Sequence, residues 1–289
     1  MKRKDTFFII ITLLLLAFTS GINAQSSLLW EISGNGLKSP SYIYGTIHII
    51  PGVRFFLPDT LGKIIAVTDK VVLELDMDDP SLLAETQKDM MMDNTVIDSL
   101  VSKPDLDYLT KFFNDTIGIP YSLVNRIKPM LLESFIAMKM AGDKPQSYEN
   151  NFLTMANTHN KEIIGLETVK EQMAVFDQVS ITDQVKYLMD NVKRYSSLKT
   201  EFNQLIDAYT SQNLDEIYRL MMETDTTDAR FDSIIVNKRN KNWIPRIEKL
   251  VQNQPCFIAV GSGHLAGNEG VLALLRKEGY TVKPVRMML

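Results

Sequence analysis

Apolar residues fall into two rhythms along this chain, and the alternation between them predicts its elements. Short blocks at residues 28–33 and 42–48 read as strands, joined by Gly34-Asn35-Gly36-Leu37-Lys38-Ser39-Pro40. Gly, Asn and Pro supply the backbone freedom and the stop signal of a hairpin. Residues 70–75 hold the unbroken run Val71-Val72-Leu73, the pattern of a strand covered on both faces. Further strands are expected at 162–166, 256–260 and 281–285. Between them the spacing turns helical. Asp59 is placed to cap a helix over 60–67. Residues 81–141 carry helices punctuated by Pro104, Pro120 and Pro129, and another follows Ser147. An amphipathic stripe over 181–209 breaks near Ser196-Ser197. Asn213 with Glu216 reads as a helix start and its capping partner, and a last helix is expected over 269–278.

This order predicts an α/β fold, a central mixed sheet with a large helical insertion at about residues 170–250, in a single compact domain spanning 25–289. No internal repeat is visible. Residues 1–24 are set apart: Lys2, Arg3 and Lys4 precede an apolar run over 7–18 broken only by Thr12, and small residues lead to Ala24. That is the order of a secretory signal. The run is too short to span a bilayer, which takes about 20 apolar residues. Cleavage after Ala24 would leave a periplasmic or secreted protein with no stable membrane span.

Charge and cysteine count narrow the partners. The chain carries a net charge of −4, and loss of the signal removes three basic residues and one acid, leaving it more acidic still. With no basic stripe, nucleic acid is a poor partner. Cys256 is the one cysteine, which rules out a disulfide within the chain and a Cys-rich zinc site.

Of the three histidines, two share a local setting: a strand, a glycine, then histidine three residues on. These are Gly45-Thr46-Ile47-His48 and Gly261-Ser262-Gly263-His264. Ligands of open α/β sheets bind at the carboxyl ends of strands, so the two could converge in one cleft. Glu74 and Asp76 close one strand and Glu167 follows another. Imidazole with carboxylate suits Zn²⁺, Mn²⁺ and related ions, which turn bound water into a nucleophile at neutral pH. Without an ion, His48 could be a general base with Glu74 holding its other ring nitrogen. Both readings stay open here. His159, at a helix end, reads as structural. In the cluster Lys238-Arg239-Asn240-Lys241-Asn242-Trp243, the plain reading is a solvated helix face with Trp243 in the core. The functional one puts Arg239 in the cleft. There is no Gly-x-Ser-x-Gly elbow, no phosphate loop and no His-Glu-x-x-His pattern.

Taken in order, Leu29-Trp30-Glu31, Tyr44-Gly45-Thr46-Ile47-His48, Leu73-Glu74-Leu75-Asp76, Gly165-Leu166-Glu167-Thr168 with Gln172, Arg239-Asn240 with Trp243, and Val260-Gly261-Ser262-Gly263-His264-Leu265-Ala266-Gly267 resemble the TraB/GumN family, which includes the TIKI proteases. The resemblance implies a fold similar to the erythromycin-esterase and ChaN groups, with both Gly-x-x-His elements in one active site. It also implies a metal-dependent hydrolase of peptide or amide bonds acting outside the cytoplasm on a peptide or small-molecule substrate. On that reading His48, Glu74 and His264 hold a divalent ion (Mn, Co or Zn). Glu167 is the general base or a further ligand, and Arg239 positions substrate or steadies the oxyanion. Ser262, Gly263 and Asn240 contact substrate. The rival readings are a metal-independent, esterase-like enzyme with His48 as base, and a non-catalytic protein that binds a peptide or cofactor.

Overall fold

Six strands form the main sheet: β1 (Leu29–Gly34), β2 (Ser41–Thr46), β4 (Lys70–Leu73), β6 (Glu162–Gly165), β7 (Cys256–Gly261) and β8 (Tyr280–Pro284). Two short strands, β3 (Ile50–Pro51) and β5 (Pro145–Gln146), pair on their own. The computed structural model describes residues 27–222 and 236–287. The secretory signal expected at 1–24 lies outside them. Among the described residues no helix is long and apolar enough to cross a membrane.

The sheet order is β6-β4-β7-β2-β1-β8. β6, β4, β7 and β2 run parallel, while β1 is antiparallel to both β2 and β8. The mixed α/β class read from the sequence is therefore the observed one. The hairpin between β1 and β2 turns through Gly34, Asn35 and Gly36, all with positive φ. The central strand, β7, is Cys-Phe-Ile-Ala-Val-Gly, and its first five residues are buried. Successive side chains of a strand point to opposite faces, and the core divides accordingly. Val71, Leu73, Phe257 and Ala259 join one cluster with Tyr44, Phe152 and Tyr209. Val72, Ile258 and Val260 join the other with Trp243, Ile247 and Leu275. A third cluster, with Phe113, Ile136 and Leu188, is the interior of a helical lobe.

Helices occupy both long crossovers, from Leu82 to Thr158 between β4 and β6, and from Val169 to Asn253 between β6 and β7. Several expected boundaries move for local reasons. Asp59 is the first residue of the Asp59–Val67 helix rather than its cap, and its charge sits in the first turn, where the helix dipole favours an acid. The 181–209 stripe breaks at Arg194, two residues early, into helices Ile181–Lys193 and Tyr195–Thr210. Asn213 does cap the Leu214–Met222 helix, its Oδ1 accepting from the Glu216 N–H at 3.1 Å.

One boundary matters for function. β2 ends at Thr46, opposite Gly261 of β7, so His48 lies beyond the strand in which the sequence reading placed it. The chain then enters β3, whose Ile50 pairs with Gln146 of β5. That short ladder brings the loop carrying His48 against the start of the Tyr148–Thr158 helix. Because the four parallel strands end on one edge, the residues after Thr46, Leu73, Gly165 and Gly261 gather there, where open α/β sheets hold their ligands.

Candidate active site

Each parallel strand delivers one side chain to this edge: His48 after β2, Glu74 after β4, Glu167 after β6 and His264 after β7. Arg239 joins them from the first turn of the Lys238–Asn253 helix. It is the hub. Its Nη2 donates to Glu74 Oε2 at 2.5 Å and to Glu167 Oε1 at 2.6 Å, and its Nε donates to Glu167 Oε1 at 3.0 Å. Its Nη1 lies 3.1 Å from His264 Nε2. Arg239, Glu74, Glu167 and His264 are all buried.

A guanidinium can only donate, so Nε2 of His264 must accept and the ring proton must sit on Nδ1. Nδ1 in turn lies 2.7 Å from Asn240 Oδ1. The Asn240 amide is anchored by the carbonyls of His264 and Glu269. Burial, with Arg239 alongside, opposes a second proton, although Glu74 favours one, and the pKa of His264 falls to about 3. It is a neutral imidazole with both nitrogens engaged.

Glu74 is held as firmly. Its Oε1 accepts the Gly261 N–H at 2.8 Å. Burial works against its charge, but Arg239 and both histidines outweigh that and hold the carboxyl well below the usual carboxylate range. Glu167 also accepts from the Trp243 indole N–H at 3.1 Å and from Gln172 at 3.1 Å. Trp243 packs its ring 4.7 Å from the Arg239 guanidinium and 4.5 Å from the His264 ring.

His48 belongs to a different environment. Its Nδ1 bonds Glu149 Oε1 at 2.9 Å, and 64% of its side-chain surface is open. Glu149 is fixed by Thr46 Oγ1 at 2.7 Å and Ser147 Oγ at 2.9 Å. Crowding by protein atoms opposes charge on His48. The bond to Glu149 and the field of Glu74 prevail, and its pKa rises to about 9.

The two parts meet at Gly261. A Cβ there would lie 3.4 Å from Glu74 Oε1 and 3.5 Å from both His48 Nε2 and His264 Cδ2. The absent side chain is the space into which His48 points. Ser262 is buried and Gly263 is covered by Met221, so a side chain at Gly263 would collide with it. Asn240 has no exposed surface, and its contacts clamp His264. Asp76 turns from the cluster to Asp78; burial and that neighbour push its carboxyl up to about 6. His159 is exposed at the far end of the helix whose first turn holds Glu149.

The donor set can be tested for a divalent ion. Both oxygens of Glu74 and both nitrogens of His264 are committed, three of the four directly to Arg239 or to the group that orients the ring, and a guanidinium charge lies 2.5 Å from Glu74. His48 Nε2 is the one ring nitrogen of the pair with no hydrogen-bond partner among the described residues. No three His, Cys, Asp or Glu side chains among them are arranged to hold a metal. The residues as they stand do not fit one.

Glu149 was missed by the sequence reading. At the second position of a helix capped by Ser147, it reads as an ordinary first-turn acid. Only the β3–β5 pairing puts it beside His48.

Residues 28–284 match the TraB/PrgY/gumN family. The chain is similar to Metalloprotease TIKI2 of Danio rerio, at 22% identity over 316 residues, covering 90% of this chain and 61% of the relative. Metalloprotease TIKI1 of Danio rerio is 24% identical over 314 residues, covering 89% and 63%. Metalloprotease TIKI1 of Homo sapiens is 23% identical over 317 residues, covering 89% and 62%. The chain thus spans about three-fifths of the length of these relatives. No solved structure matches it. With its family match running from the residue before β1 to the last residue of β8, and with both Gly-x-x-His turns at one sheet edge, the chain belongs to the TraB/PrgY/gumN family.

Proposed function

We propose that this protein is an exported hydrolase that cleaves peptide or amide bonds, with His48 moving the proton. The observation that carries the reading is the open Nε2 of His48, held by Glu149 and aimed at the Gly261 space beside a buried, fully bonded cluster. The name metalloprotease, borne by the relatives, supports the reaction class.

The divalent ion that the resemblance implies has no ligand set here, so the steps rest on the chain's own side chains. In its neutral form His48 keeps Nδ1–H on Glu149 and takes a proton from water at Nε2 as the water oxygen adds to the carbonyl carbon. The imidazolium then returns that proton to the leaving nitrogen as the C–N bond breaks. Water is consumed, and an acid and an amine are released. Two carboxylates already offset the charge of Arg239, so it acts by fixing Glu74 and His264 rather than by neutralising an oxyanion.

A mixture of defined peptides incubated with the purified mature chain and read by mass spectrometry tests this. Cleavage by the wild type, lost in His48→Ala with an unchanged circular dichroism spectrum, is the expected result. Tight binding of peptides without turnover would instead make this a binding protein.

A further inference from the structure

We propose that Arg239 is the resident cation of this centre: its guanidinium fills the place among Glu74, Glu167 and His264 that a divalent ion would take, and the protein binds no such ion there. Two observations carry this. First, Arg239 engages the groups an ion would need. It bonds Glu74 Oε2, Glu167 Oε1 and His264 Nε2 at 2.5, 2.6 and 3.1 Å. Second, the arrangement is built. Trp243 stacks on the guanidinium and also donates to Glu167, while Asn240 sets the His264 tautomer so that its acceptor nitrogen faces Arg239.

An ion entering the cluster would have to break the Arg239–Glu74 pair and lie next to a buried guanidinium. Like charges at such separation, out of water, repel strongly. The relatives' name implies a metal, whereas this site holds a guanidinium between its two carboxylates. The proposal concerns the cation alone, and its test uses no substrate, so its failure is distinct from failure of the hydrolase reading.

The probe is Co²⁺, whose visible absorption reports its ligands, titrated into the full mature chain purified without a histidine tag. The wild type is expected to give no protein-bound Co²⁺ spectrum, and its melting temperature should move with neither Co²⁺ nor chelator. Arg239→Met frees Glu74, Glu167 and His264, and should bind Co²⁺ about tenfold or more tightly than the wild type. Adding Glu74→Gln should remove that gain. One equivalent of Co²⁺ on the wild type, raising its melting temperature and lost in Glu74→Gln, would overturn the proposal. So would a folded Arg239→Met that binds no better than the wild type. Should Arg239→Met not fold, the wild-type titration and melting curves decide alone, because binding of an ion to the native state must stabilise it.

Discussion

The same sequence device, glycine followed three residues later by histidine, delivers His48 and His264 to one sheet edge, yet the two rings end in opposite states. His264 is buried, neutral, bonded at both nitrogens, and has its pKa pressed down to about 3. His48 is mostly open, bonded at one nitrogen, and has its pKa lifted to about 9. The turn fixes where a histidine sits; the neighbours decide what it does. Around His264 those neighbours are a cation and an amide that lock it. Around His48 they are an anion and a space. One half of the site is thus a rigid floor and the other is the group free to exchange a proton.

The largest effect that separates the halves is on stability. Arg239→Ala would leave Glu74 and Glu167 buried without the guanidinium that bonds them both. Breaking one member of a buried ion pair costs about 3–5 kcal/mol. His48→Ala removes a largely exposed ring whose ion pair with Glu149 is open to water, and should cost less, about 1 kcal/mol. Urea titration of both variants makes the comparison. Equal losses would mean that His48 belongs to the structural core of the site, and the division drawn above would be wrong.

How much of this was legible in the sequence follows the same division. His48, Glu74, Glu167, Arg239 and His264 could be picked out because four of them stand at strand ends, and alternating apolar blocks locate strand ends well. Their roles could not. Arg239 and Asn240 sit in a run of basic and polar residues in which Lys238 and Lys241 are plainly exposed, and only the phase of the helix against the sheet separates the buried pair from the solvated one. Nothing in the sequence says that a guanidinium rather than an ion holds two carboxylates. Glu149 was illegible for a different reason. Its signal is that of any acid opening a helix, and its function comes from a two-residue ladder between segments about a hundred positions apart. Local pattern reports which residues reach an edge. Long-range pairing decides which of them touch.

The next effect is electrostatic. Proton NMR of the ring resonances should show His48 titrating near pH 9 and His264 showing no transition above about pH 4. Folding raises proton affinity at His48, so its contribution to stability is complete below about 6.5, the ordinary pKa, and is lost as pH rises through about 9. At His264 affinity is lowered, so stability is complete above about 6.5 and is lost as pH falls toward about 3. Glu149→Gln removes the anion that holds the His48 proton and should move that transition downward, leaving His264 unchanged. The alkaline rise in peptide cleavage expected of a His48 base should shift to lower pH with it. A His48 transition unmoved by Glu149→Gln would break the pairing of these two residues.

The smallest difference lies in the glycines themselves. A Cβ at Gly45 would come within 2.8 Å of Leu265 Cδ1 and 3.1 Å of Ser262 Cα, the latter backbone that cannot easily yield. Overpacking of this kind costs about 1–3 kcal/mol, so Gly45→Ala should lower the melting temperature clearly. At Gly261 the same atom meets only ordinary contacts of 3.4–3.5 Å, and its φ is not in the left-handed region. Gly261→Ala should therefore fold with a stability change below about 1 kcal/mol. Its methyl group would nonetheless occupy the space His48 Nε2 faces, so cleavage should fall while the His48 and His264 transitions stay in place. Full activity in Gly261→Ala would mean that the water deprotonated by His48 does not sit there, and that the open half of the site lies on the other side of the ring.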